Sequence, residues 1–202
     1  MHGRLEPSDE HDLGSRTVHE VLTATASEAP VPGAASSAAL AVALGAALVT
    51  GVARRSRSDW RDATGVAAQG DALRRRALAL SGIAAVAYER ALDRLSRAPS
   101  DGERARDALL GEALSQAADA SLRIGEAALD VAELGALAAE CGDQSVRAEA
   151  VAAAFLAEAG ARSAATIVEV NLAITESDER IERGRRLASR SSDIARRAAA
   201  SV

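Results

Sequence analysis

The sequence predicts an all-α protein, an antiparallel multi-helix bundle of about six helices with a central Ala-rich buried helix. Three observations predict it. Hydrophobic residues make up 48% of the 202-residue chain, yet its aromatics are Trp60, Tyr88 and Phe155, so Ala, Leu and Val fill the core. Ala and Leu are strong helix formers, whereas strands favour the β-branched and aromatic types. Apolar residues recur three and four apart over long stretches, with no alternating strand pattern. Clusters of Pro, Gly, Ser and Asp separate these stretches at short intervals.

A short helix is expected from Arg16 to Ser27, where Val18, Val21 and Leu22 form one stripe, ended by Pro30 and Pro32. The turn from Pro32 to Ser36 leads into a charge-free helix from Ser36 to Ala53, with Leu40, Leu44 and Leu48 one turn apart. Ser36 or Ser37 is its expected N-cap. At about 27 Å it spans a small domain, and its small side chains invite neighbours on every side. After a polar stretch, 54–62, a long helix is expected from about Ala63 to Arg97, stopped by Pro99 to Gly102. Another runs from Glu103 to Glu140, with a glycine C-cap at Gly142. The next begins near Ser145 and reaches about Ile174. The last spans Glu179 to Ala200 with an Arg-rich outer face, and Asp178 belongs to its N-terminal turn. The length suits a single core: residues 1–15 read as a disordered tail and 16–202 as one helical domain.

Composition excludes several function classes. All 24 basic residues are Arg and the net charge is -5, so no positive field draws nucleic acid. The clusters Arg54–Arg57, Arg74–Arg76 and Arg183–Arg186 read as solvated faces with i, i+4 ion pairs. The single cysteine, Cys141, permits no internal disulfide and reads as a helix-end packing residue. His2, His11 and His19 crowd the N-terminus, leaving no metal-ligand set. The polar start lacks the apolar core of a secretory signal. Residues 29–53 carry no charge, but Pro30, Pro32, Gly33, Gly45 and Gly51 favour a buried soluble helix over a membrane span. A cytoplasmic location follows as the expectation.

The run Thr17-Val18-His19-Glu20-Val21-Leu22, followed by Ala29-Pro30-Val31-Pro32-Gly33-Ala34-Ala35-Ser36-Ser37 and the Ala/Leu helix, resembles the opening of the formiminotransferase-cyclodeaminase / methenyltetrahydrofolate cyclohydrolase family. Those proteins place a Pro-x-Pro-Gly-Gly-Gly-Ser turn before a buried Ala/Gly/Leu helix. Later, Gly142-Asp143-Gln144-Ser145 resembles the family's Gly-Asn-x-Asn turn and Val168-Glu169-Val170-Asn171-Leu172 its Val-x-x-Asn-Leu segment. The resemblance implies a homodimeric helical bundle that takes a tetrahydrofolate derivative as substrate, with no tightly bound cofactor. It assigns ligand contacts to Pro32, Gly33, Ser36 and Asn171, since amides at a helix N-terminus suit folate carboxylates. The implied chemistry is hydrolysis of a methenyl bridge or deamination of a formimino group, either of which needs a proton donor or acceptor.

The chain departs from that pattern at two places. Ala34 and Ala35 stand where the family has glycines, and Arg147 and Ala148 where it has a Ser-Asp pair suited to acid–base work; Glu149 substitutes only if the register slips by one. No catalytic residue is therefore assigned. The alternative is a catalytically inactive bundle, a pseudoenzyme that keeps the fold for dimerisation or protein binding. Residue by residue, Pro32 and Gly33 shape a tight connection, and Tyr88 is expected to pack half-buried on its helix. Asn171, polar in an apolar stretch, either ties helices together or faces a cavity.

Overall fold

The computed structural model describes residues 12–96, 103–173 and 177–200. Six α-helices are present among them: α1 (Val18–Thr25), α2 (Ala34–Arg55), α3 (Ala63–Ser96), α4 (Glu103–Cys141), α5 (Arg147–Leu172) and α6 (Glu179–Ala200). No strand occurs among the described residues. The expected stop at Pro99–Gly102 lies outside the described residues, as do most of the N-terminal tail and Ile174.

Helices α2 to α6 run alternately up and down. Gly70 of α3 meets Thr50 of α2, while Ser81, further along α3, bonds Ser36 near the start of α2; the two are antiparallel. Gly160 and Gly45 give the same result for α2 and α5. By contrast, Arg183 of α6 pairs with Glu126 of α4 and Arg190 with Glu133, both at 2.5 Å. Both partners advance by seven residues, so α4 and α6 are parallel, separated in sequence by the antiparallel α5.

Helix α4, not α2, is the structural axis, because it packs against α2, α3, α5 and α6. This corrects the expectation that the charge-free helix is covered on every side. Its inner face, including Val42, Ala46, Val49 and Ala53, is fully buried. Leu44, however, is 55% exposed, flanked by the half-buried Leu40 and Leu48. Both α2 and the stretch Gln144–Leu172 are long and apolar enough to cross a membrane by length and composition. Each nevertheless packs one face into the bundle core.

Helix boundaries differ from expectation where side chains intervene. The N-cap of α2 is Gly33, without a side-chain cap, because Ser36 donates to the Ser81 carbonyl at 2.9 Å and Ser37 to the Gly33 carbonyl at 3.1 Å. Residues 13–15 form a short 3-10 turn in which Asp12 accepts a bond from the Gly14 amide and Leu13 is buried. The polar stretch after α2 hides Ser56 and Trp60 in the core. Ser56 Oγ accepts the Asp143 amide at 2.9 Å and clamps the α4–α5 turn to the end of α2. Gly142 is required there by proximity, since a Cβ would lie 2.5 Å from the Ala138 carbonyl oxygen and 3.2 Å from Ser56 Oγ. Cys141 itself is exposed. The Arg clusters form ion pairs, but largely between helices: Arg54–Asp71, Arg55–Glu149 and Arg76–Asp130.

The start of α6 is fixed by Arg180. Its Nη1 donates to Ser115 and to Asp119 of α4, while Nε and Nη2 donate to Asp178. The Arg180 side chain and backbone hold the Asp178 carboxyl at about 2, below its ordinary value. A carboxylate whose folded value lies below its unfolded value of about 4 stabilises the fold above that pH and loses the contribution as pH falls through the folded value. Asp178→Asn is therefore expected to lower the melting temperature at neutral pH, and the gap to wild type should close between about pH 4 and pH 2. Thermal denaturation across that range checks it.

Candidate functional site

Four helices leave a cavity of about 330 Å³ at one end of the bundle. The start of α2 forms one wall, with Gly33, Ala34, Ala35 and Ser36; α3 contributes Ala84 and Tyr88, α4 Ala117 and Ser121, and α5 Thr166, Ile167, Val170 and Asn171. The small residues explain the opening. Alanines at 84 and 117 leave room between the helices, and Gly33 stands beside the Tyr88 ring, where a Cβ would make ordinary van der Waals contact at 3.6 Å from Tyr88 Cδ1. Gly33 has φ -92°, so it is not needed for a left-handed backbone. Ala34 and Ala35 are the first helical residues of α2, where alanine is unstrained. Their departure from glycine therefore narrows the cavity rather than breaking the turn.

The electrostatics of the wall are simple: no lining side chain carries a charge. The N-terminus of a helix leaves its first amides without intrahelical acceptors. In α2 no side chain caps them, so Ala34, Ala35 and Ser36 bring unsatisfied N–H groups and a partial positive charge to the cavity. Ser36, Ser121 and Thr166 each direct their proton to a carbonyl oxygen, those of Ser81, Ala117 and Arg162. No group of three metal-ligating side chains occurs among the described residues.

The sequence-assigned positions divide as follows. Gly33, Ser36 and Asn171 line the cavity together, although Asn171 lies far along the chain from the other two. Pro32 is buried behind the wall, preceded by a cis peptide bond, and Pro30 lines the cavity in its place. Asn171 faces the cavity, which decides between the two roles open to it. Tyr88 is 42% exposed and part of the wall, not simply a packing residue. Ser121, Thr166 and the alanines carry no sequence signal as site residues; only the packing of α4 and α5 brings them in.

The α4–α5 turn lies at the other end of the bundle. Asp143 Oδ1 accepts the Ser145 amide at 2.7 Å, which lowers its carboxyl below the ordinary range. Arg147 begins α5, whose other end carries Asn171; 24 residues of helix rise separate them, about 36 Å. Within one chain, then, Arg147 and Ala148 do not face this cavity. Glu149, two residues into α5, pairs with Arg55 at 3.3 Å and does not line this cavity.

Comparison with known proteins agrees with this architecture. The family described as formiminotransferase-cyclodeaminase matches residues 17–189. A methenyltetrahydrofolate cyclohydrolase of Methylorubrum extorquens is 31% identical over 166 residues, covering 78% of this chain and 80% of that relative. The crystal structure of formiminotetrahydrofolate cyclodeaminase from Thermotoga maritima superposes with a TM-score of 0.82 at 19% identity, over 93% of this chain and 96% of that one.

Proposed function

Because the chain belongs to the formiminotransferase-cyclodeaminase family, we propose that it is a folate one-carbon enzyme that hydrolyses methenyltetrahydrofolate in the cavity at the start of α2. The observation that carries this reading is the wall of uncharged side chains beside an uncapped helix N-terminus. A methenyl bridge is cationic, and addition of water neutralises it. A cavity with no carboxylate and a partial positive charge disfavours the bound cation relative to the neutral adduct, which assists the addition of water. Deamination of a formimino group ends in the same cation and is the second reaction to assay. The free amides of Ala34, Ala35 and Ser36 suit a folate carboxylate or the carbonyl of its ring, and the Asn171 amide offers both a donor and an acceptor. Folate enters as substrate, with no tightly held cofactor, and the reading carries a cytoplasmic location with it.

Purified protein is expected to accelerate loss of methenyltetrahydrofolate absorbance above the spontaneous rate. Absence of turnover with either folate would sink the enzyme reading. Binding of a reduced folate without turnover would instead favour an inactive module of the same fold.

A homodimer is part of the proposal. Leu40, Leu44 and Leu48 form an apolar stripe along a charge-free helix, and the adjacent α5 carries the exposed Phe155. Helix α1 likewise presents Val18 and Leu22 to solvent and has no buried residue. A contiguous apolar face of this kind is characteristic of association surfaces. Leu44→Asp is expected to convert a dimer to a monomer in size-exclusion chromatography with light scattering; a wild-type monomer would remove the proposal.

A further inference from the structure

Any reaction at this cavity needs a proton carrier, and the wall offers few. No carboxylate, imidazole, amine or guanidinium lines it. Among the lining hydroxyls, Ser36, Ser121 and Thr166 spend their single protons on carbonyl oxygens at 2.9, 2.9 and 3.1 Å. The Asn171 amide is not an acid. Tyr88 remains: its ring stands against Gly33, it is 42% exposed, and its hydroxyl makes no hydrogen bond among the described residues.

Resting on the folate reading above, we propose that the Tyr88 hydroxyl is the proton-carrying group of the cavity and a catalytic residue of the reaction. A phenol ionises far more readily than an alkyl hydroxyl, which suits it to this task among the hydroxyls present. The step balances without a further reagent. Water oxygen bonds the methenyl carbon, the C=N electron pair returns to nitrogen, and one water proton leaves to solvent. The resulting carbinol gives its O–H proton to Tyr88 as Tyr88 gives its own to the departing ring nitrogen. The C–N bond breaks, the formyl C=O forms, and Tyr88 ends neutral. Release of ammonia from a formimino group asks the same group to protonate a departing nitrogen, with the proton replaced from solvent.

Tyr88→Phe separates this role from packing, because the ring is kept against Gly33 and only the hydroxyl is lost. Hydrolysis of methenyltetrahydrofolate by wild type and variant, with kcat and KM measured separately, is the test. The expected result is a fall in kcat of roughly 100-fold, the lower range for general acid–base groups, with KM within about threefold and an unchanged melting temperature. A variant whose kcat stays within about threefold of wild type overturns the assignment while leaving the folate reading intact, and so does a variant that changes KM alone. A wild-type protein inactive on both folates overturns the folate reading and Tyr88's role with it, so the wild-type arm tells the two failures apart.

Discussion

Ala35→Trp is expected to abolish turnover while leaving the fold in place. Ala35 occupies the first turn of α2, lines the cavity and is only half-buried at the edge of the core, so a larger side chain there has the open cavity to extend into. An indole is a large rigid ring pair, and in a cavity of about 330 Å³ it competes directly for the room that a bound ring system needs. We expect kcat/KM to fall by at least about 100-fold, equivalent to ~2.7 kcal/mol of transition-state stabilisation. The cost to stability is bounded by helix propensity, at most about 0.7 kcal/mol, which in a protein of this size lowers the melting temperature by roughly 1–3 °C. Steady-state kinetics and a thermal melt on the same preparation check both halves. A variant that keeps wild-type turnover would place the chemistry elsewhere, and the α4–α5 turn, with Asp143 and Glu149, would be the region to examine next.

The cavity also shows what was legible in the sequence and what was not. Helix α6 spans Glu179–Ala200 as the charge pattern implies, and α3 and α4 end within a residue of expectation where they are described. Periodicity and helix-breaking residues are local signals, so they carry these elements. That Gly33 and Asn171 share one cavity was legible only through resemblance, since nothing local joins residues so far apart in the chain. Capping failed at Ser36 because a local rule met a tertiary competitor: the Ser81 carbonyl, on a different helix, takes the hydroxyl. The outer face of α2 stays exposed for a related reason. A charge-free surface reads as covered, but whether this chain or a second copy covers it is not written in the period. The place of Tyr88 in the cavity wall is not legible locally, because the glycine and alanines around it come in part from α2 and α4.

Gly160→Val is expected to be strongly destabilising. A Cβ at Gly160 would sit 2.5 Å from Val42 Cγ2 and 3.2 Å from the Ala38 carbonyl oxygen, where α5 crosses α2. Val42 is itself fully buried and has no room to turn away. With few aromatics to bridge wide gaps, the core relies on backbones that approach closely, so the helices must part to admit the side chain and the alanine contacts along the crossing loosen together. Overpacking costs typically 1–3 kcal/mol and occasionally more; helix propensity returns a few tenths. We expect a net loss of about 3 kcal/mol, read as a fall of roughly 6–12 °C in melting temperature. Gly65 supplies the control, since nothing lies within 4 Å of a Cβ there. Gly65→Ala is expected to stabilise by about 0.5–1 kcal/mol through helix propensity alone. Opposite signs at two helical glycines separate packing from backbone freedom. A neutral Gly160→Val would mean that α2 and α5 do not cross at this distance, and the wall of the cavity they share would have to be redrawn with them.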